Sequence, residues 1–207
     1  MNVARMLFPV QVLGPGRRLG IWFAGCPRRC PGCSNPELWE RKTEWEISVS
    51  ALLHLVEPFL FSQSQVGLIL TGGEPFAQGT ELLTLLQKLE SYTEDILVYT
   101  GYTLEELRNG PLIWQNCLEH IGVLIDGPYE QTQNTNVPLR GSANQKIHYL
   151  KHGLRRSYEQ FMKEKGNQIQ DFTTGDGIVS VGIHRPDFKE GLAKKMGEQG
   201  VILCEPK

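Results

Sequence analysis

The chain lacks several features that would place it at once. No stretch approaches the eighteen or so consecutive apolar residues of a membrane-spanning helix, and residues 1–10 carry no cationic region followed by a long apolar run. A soluble cytoplasmic protein without a membrane partner is therefore expected. Blocks of like charge are also missing: 21 basic and 23 acidic residues are scattered to a formal net charge of −2. Nucleic acid is a poor partner for such a surface, because phosphate binding draws on clustered Lys and Arg. The cysteine count is five, an odd number that suits no disulfide framework. Nor do His54, His120, His148, His152 and His184 form a metal-spaced pair with any carboxylate.

What is present is an alternation. Apolar runs of strand length at 19–25, 66–71, 96–100 and 121–126 are separated by segments of helical character. Between them, 48–62 repeats leucine at helical spacing, and 81–91 places Leu82, Leu85, Leu86 and Leu89 on one face. Thr103-Leu104-Glu105-Glu106 has the hydroxyl and carboxylate of a capping box, so a short helix should start there and end near Asn109-Gly110-Pro111. Strand and crossover helix in alternation give an α/β fold of buried parallel strands, with functional residues at their carboxyl ends. The 207 residues, 40% hydrophobic, suit one compact domain with at most a small appendage. Beyond residue 151 a charged helical stretch, 154–165, leads to a polar run with turn chemistry at 171–176. A terminal β-α-β unit is expected after it, with strands at 177–183 and 201–204 and a helix at 188–196.

Three of the cysteines crowd into Gly25-Cys26-Pro27-Arg28-Arg29-Cys30-Pro31-Gly32-Cys33-Ser34-Asn35, directly after the first of those strands. Structural zinc normally takes four protein ligands, and no second Cys-x-x-Cys or His-x-x-x-His pair completes such a site. A Cys30–Cys33 disulfide is conceivable but leaves Cys26 idle. An iron-sulfur cube held by three cysteines keeps one iron open for a substrate or cofactor, which is a chemical reason for three thiols rather than four. Pro31 and Gly32 let the chain bend around a bulky cube. Arg28 and Arg29 either offset cluster charge or are solvated loop residues, and Trp22 and Trp39 are expected to pack around the loop and exclude water. Cys117 and Cys204 read as small buried hydrophobes.

Further segments agree with this loop. One strand later comes Thr71-Gly72-Gly73-Glu74-Pro75, whose glycines allow close backbone approach and whose carbonyls and carboxylate suit an ammonium group. Cys-x3-Cys-x2-Cys with Gly-Gly-Glu-Pro resembles the radical S-adenosylmethionine superfamily. Cys-Pro-Gly-Cys-x-Asn followed by Trp39 resembles, more narrowly, the activating proteins of glycyl-radical enzymes, and most closely the activators of anaerobic ribonucleotide reductase. Gly14-Pro15-Gly16, residues 99–107 from Tyr99-Thr100-Gly101, Ile125-Asp126-Gly127-Pro128-Tyr129 and Arg140-Gly141-Ser142-Ala143-Asn144-Gln145 extend the likeness over roughly residues 10–150.

The resemblance implies a partial (β/α) barrel of parallel strands with helices outside over a core at 1–152; past it the likeness fades, and 153–207 read from their own residues as a small C-terminal β-α-β extension packed on the core. It implies that Cys26, Cys30 and Cys33 bind a 4Fe-4S cluster, and that Gly32, Ser34, Gly72, Gly73, Glu74, Thr100, Asp126 and Arg140 contact S-adenosylmethionine or substrate. The implied activity is that of an oxidoreductase: reduction by a flavodoxin-like or ferredoxin-like donor, formation of a 5'-deoxyadenosyl radical, and hydrogen abstraction from a glycyl-radical enzyme. No side-chain base is needed. Two other readings stay open, a radical enzyme acting on another peptide, nucleotide or small molecule, and a non-catalytic iron-sulfur module, although the latter has no use for Gly72-Gly73-Glu74. The C-terminal segment either caps the sheet or docks a partner.

Overall fold

Arg18–Phe23 (β2) is buried at every position, the mark of a strand covered on both faces. The structure, a computed structural model, describes residues 1–61, 66–175 and 177–198. β2 runs parallel to Gly67–Gly72 (β3) in a register from Arg18↔Gly67 to Phe23↔Gly72; β3 is parallel to Ile96–Tyr99 (β4), and β4 to Val123–Asp126 (β5). Two antiparallel edges extend this parallel centre: Val3–Val10 (β1) beside β2 and Lys146–Tyr149 (β6) beside β5, giving the order β1-β2-β3-β4-β5-β6. Neither edge was expected from the sequence. β1 is only partly buried and contains Pro9, and β6 is a four-residue Lys-Ile-His-Tyr, so neither shows a continuous apolar run.

Val49–Phe61 (α1), Gly79–Leu89 (α2) and the pair Leu104–Asn109 (α3) and Leu112–Glu119 (α4) are the crossovers. They pack on one face of the sheet. Leu52, Val56, Leu82, Leu85, Leu86, Leu89 and Cys117 meet the inward side chains Leu19, Ile21, Phe23, Leu68, Leu70, Ile96, Val98 and Leu124. Cys117 is thus the small buried hydrophobe expected. The capping box forms as read, with Thr103 Oγ1 accepting the Glu106 N–H at 3.1 Å and the Glu106 carboxylate accepting the Thr103 N–H at 2.6 Å.

The alternate side chains Trp22, Ile69, Leu97, Val123 and Ile125 form a second core on the other face. Covering it are Tyr158 and Phe161 of Arg155–Lys165 (α5), and Val181 of a hairpin made of Ile169–Thr174 (β7) and Gly177–Gly182 (β8). Here the chain departs from expectation. The run 171–176 was read as turn, but β7 pairs antiparallel with β8 from Ile169↔Gly182 to Thr174↔Gly177. Its polar alternation, exposed then half-buried, is that of a two-stranded ribbon lying on the core by one face, which has little apolar signal. Among the described residues this segment is a hairpin followed by Phe188–Glu198 (α6), so the strand expected at 177–183 and the helix expected at 188–196 both form, with β7 added before them. The strand expected at 201–204, with Cys204, lies outside the described residues.

Candidate functional site

The carboxyl ends of β2 to β5 open on one cavity of about 190 Å³, the place where α/β sheets bind ligands. Cys26, Cys30 and Cys33 form part of its wall, all three half-buried free thiols. Main-chain bonds set the loop that carries them: Gly25 N–H donates to Leu38 O at 2.9 Å, Cys26 N–H to Trp39 O at 2.9 Å, and Cys33 N–H to Cys30 O at 3.1 Å. The last closes a turn with Pro31 at its second position and Gly32, φ +71°, at its third, the residue chemistry of a type II turn.

Burial pushes the Cys26 and Cys33 thiols up, offset at Cys26 by the Arg29 and Arg28 backbone N–H groups and at Cys33 by the Asn35 N–H and the Trp39 indole. Such thiols are deprotonated by coordination to metal. Among the described residues, no three His, Cys, Asp or Glu gather as a single ion would require. Three thiols spread along one cavity wall instead fit a multi-iron cluster, which takes one thiolate on each of several irons.

Beside the loop lies Gly72-Gly73-Glu74. Gly73 N–H donates to Phe23 O at 2.8 Å and Glu74 N–H to Gly25 O at 3.0 Å, so the end of β3 is laced to the root of the cysteine loop. A Cβ on Gly72, where φ is +100°, would stand 2.6 Å from Phe23 O, and one on Gly73 2.7 Å from Gly25 O. The close approach that needs both glycines is to the protein's own backbone, while both still line the cavity.

Glu74, 1% exposed, accepts from Phe76 N–H at 3.0 Å, Thr100 Oγ1–H at 2.8 Å and Gly101 N–H at 2.8 Å. Burial pushes its carboxyl up to about 7, against these donors and the nearby Arg28 guanidinium. Arg28 closes the circuit. It donates to Gly101 O at 2.5 Å, stacks 4.7 Å from the Tyr102 ring centre and lies 3.4 Å from Glu106. The two loop arginines therefore separate: Arg28 belongs to the cavity wall, whereas Arg29 pairs with Glu40 at the surface.

Of the other residues picked from sequence, Ser34 and Thr100 line the cavity; Gly32, Asp126 and Arg140 do not. Asp126 accepts from Leu104 N–H at 2.7 Å and Lys146 N–H at 3.2 Å, with His148 Nε2 at 3.0 Å, and so fixes the start of α3 and of β6. Arg140 donates to Gln145 O at 3.1 Å. Gln145 itself lines the cavity, accepting from Gly141 N–H and donating to Gly127 O, both at 2.8 Å. It sits in the same segment as Arg140, where the charged residue drew the attention.

The far wall was not foreseen. Ser180, Val181, Gly182, Ile183 and His184 line the same cavity from the C-terminal hairpin. His184 accepts through its backbone oxygen from Asn134 Nδ2 at 2.8 Å, and its ring stacks on Phe188. No local pattern at 177–184 distinguishes this wall from an ordinary sheet cover.

Comparison with known proteins gives likenesses of three kinds: to a family, to individual relatives and to a solved structure. The family described as "4Fe-4S single cluster domain" matches residues 12–148. The anaerobic ribonucleoside-triphosphate reductase-activating protein of Vibrio cholerae is 36% identical over 152 residues, covering 68% of this chain and 94% of that protein. Its namesake in Escherichia coli strain K12 is 30% identical over 151 residues, 70% and 96% of the two chains. Among solved structures, QueE from Escherichia coli overlaps 58% of this chain and 67% of its own at 21% identity and a TM-score of 0.38, a likeness too slight to argue from.

Proposed function

Because this chain belongs to the 4Fe-4S single-cluster family of radical S-adenosylmethionine activating proteins, we propose that its target is the glycyl-radical subunit of an anaerobic ribonucleoside-triphosphate reductase. It is an oxidoreductase whose cofactors are a 4Fe-4S cluster and S-adenosylmethionine. The chemistry these supply when bound is one-electron cleavage of a carbon-sulfur bond to a 5'-deoxyadenosyl radical, which removes a hydrogen atom from the target.

The chain's own residues hold and shield. Cys26, Cys30 and Cys33 take three irons and leave the fourth open. Gly72, Gly73 and Glu74 form the adjoining wall and receive the amino end of S-adenosylmethionine, with Ser34 and Thr100 beside them. Gly32 lets the loop turn, and Asp126 and Arg140 act through their neighbours, by fixing α3, β6 and Gln145. Trp22, Leu13 and Val181 exclude water. The parallel strands β2 to β5, with every crossover helix on one face, support a partial barrel whose concave side carries the cavity. The division into a core at 1–152 and an extension at 153–207 is supported by a family match that stops at 148 and by a hairpin whose strands, among the described residues, pair only with each other. A small flavodoxin-like or ferredoxin-like protein is the electron donor, and the mixed surface charge suits protein rather than nucleic acid.

The observation that carries this reading is that the three thiols and Gly72-Gly73-Glu74 share one cavity. One observation favours a different target: Ser180 to His184 lie beyond the family match yet form a wall of that cavity, so another protein or a small molecule is the second reading. Anaerobic reconstitution, dithionite reduction and addition of S-adenosylmethionine should yield 5'-deoxyadenosine and methionine, and the Cys30→Ala variant should yield neither. With purified anaerobic reductase present, a glycyl-radical doublet should appear in the electron paramagnetic resonance spectrum. Product without the doublet would leave the radical chemistry standing and move the target to the second reading.

A further inference from the structure

Ser180, Val181 and Gly182 of β8 line the cavity one after another. Side chains of a strand alternate between its faces, so three consecutive residues meet one cavity through the strand's edge rather than through a face. The side chains agree. Val181 is buried in the second core, Ser180 Oγ donates to Asp171 Oδ1 at 2.6 Å, and Gly182 has no side chain. One edge of β8 pairs with β7, and among the described residues no further strand pairs with the other. Such an edge presents main-chain N–H and C=O groups to whatever lies beside it.

This edge is held from both flanks of the sheet, whose outer strands are β1 and β6. On the β1 flank, Gln170 of β7 donates through Nε2 to Pro9 O at 2.8 Å and accepts the Gln11 N–H at 2.9 Å. On the other, in the segment leading to β6, Asn134 Nδ2 donates to His184 O at 2.8 Å, and Val137 O accepts from Asn167 Nδ2 at 2.9 Å. The hairpin thus bridges the two flanks, and its edge has a fixed place on the cavity. Charge narrows the choice of occupant. Among the described residues, the only Lys, Arg, Asp or Glu on the cavity are Arg28 and Glu74, both engaged at Gly101, and the hairpin adds none. A nucleotide or a phosphorylated metabolite calls for cations on this wall, whereas an extended polypeptide needs only main-chain partners.

We propose that the free edge of β8 takes an extended, glycine-bearing segment of the target polypeptide by main-chain hydrogen bonding, and so decides which target reaches the radical site. The inference rests on the polypeptide target proposed above. A glycine suits the place because a residue without a side chain brings its backbone closest to the wall. Asn134 is on this account a positioning residue, acting on the edge through His184 O.

The test uses reconstituted protein with purified anaerobic reductase and S-adenosylmethionine. Hydrogen exchange over residues 177–184, read by mass spectrometry, should show a fast set of amides in the free protein that becomes about tenfold slower when the reductase is bound. Asn134→Ala should raise the KM for the reductase about fivefold to tenfold and leave the KM for S-adenosylmethionine as in wild type. Exchange that the reductase does not change, while the glycyl-radical doublet forms, would overturn the proposal and leave the hairpin a cover of the sheet. So would a free protein without the fast set, its edge being already covered, or an equal rise in both KM values. Should Asn134→Ala fail to fold, exchange in the wild type decides alone. A wild type that releases 5'-deoxyadenosine but gives no doublet would instead sink the target reading, and this inference with it.

Discussion

Arg18 and Asp95 form a two-armed ion pair, Nη1 to Oδ2 at 2.7 Å and Nη2 to Oδ1 at 2.8 Å, with the arginine side chain fully buried at the start of β2. Tyr158 of α5 completes it, its hydroxyl donating to Asp95 Oδ1 at 2.7 Å and its ring lying 5.4 Å from the guanidinium. This ties α5 to the sheet. Asp95→Ala leaves a buried guanidinium without its counter-ion, and we expect a loss of about 3–5 kcal/mol in denaturant unfolding. The double variant Arg18→Met with Asp95→Leu should recover most of it, since no charge is then stranded. A double variant as unstable as Asp95→Ala would mean that the packing, not the lone charge, is what matters.

Glu74 gives the fold a pH dependence of its own. Its carboxyl titrates at about 7 in the folded chain against an ordinary 4.5, so the folded state holds the proton more tightly than the unfolded one. The sign follows: this contribution is fully present below about 4.5 and is lost as the pH rises through about 7. In cluster-free protein, the stability of wild type relative to Glu74→Gln should fall between those limits, as measured by urea unfolding at several pH values. Parallel curves across the window would refute it.

Gly73→Ala tests the lacing of β3 to the cysteine loop. The added methyl would stand 2.7 Å from Gly25 O and 3.1 Å from Leu38 O, both main-chain atoms that cannot swing aside. We expect a loss of about 1–3 kcal/mol and incomplete iron loading after reconstitution. Full iron loading at wild-type stability would show that the loop can shift to make room.

Ser180→Phe tests the hairpin wall. Ser180 sits on the cavity, and a ring there narrows the space between hairpin and cysteine loop. The ratio of glycyl radical formed to 5'-deoxyadenosine released should drop about tenfold, equivalent to 1.4 kcal/mol of lost target positioning. A ratio equal to that of wild type would mean that the target approaches from elsewhere.

Much of this was legible from the residues, and the reasons differ from element to element. The central strands announce themselves because strands buried on both faces are continuously apolar, as at 19–23 and 96–98. The cysteine loop and Gly72-Gly73-Glu74 were legible because close backbone approach and thiol ligation leave few residue types to choose from. That Asp126 and Arg140 stand back from the cavity was not legible, because a charged residue at a strand end looks the same in sequence whether it faces a ligand or caps a neighbouring helix. Of the hairpin at 169–182, the second strand was legible at 177–183 but the first was not. The first strand's polar face carries weak periodicity, and the hairpin's place on the cavity is set by tertiary packing of Phe172, Val179 and Val181 on the second core.

The cysteine loop is held by main-chain bonds, Gly25 to Leu38, Cys26 to Trp39, Cys33 to Cys30 and Glu74 to Gly25, so its shape is not written in most of its side chains. That makes it a socket whose lining can be rewritten. Arg29, exposed and already at a positive φ of 44°, is a position where Asn, Gly or an acidic residue enters without rebuilding the frame. The electrical surroundings of the metal and the scaffold that grips it are separately adjustable, which is what an engineer retuning electron entry into such a protein would want.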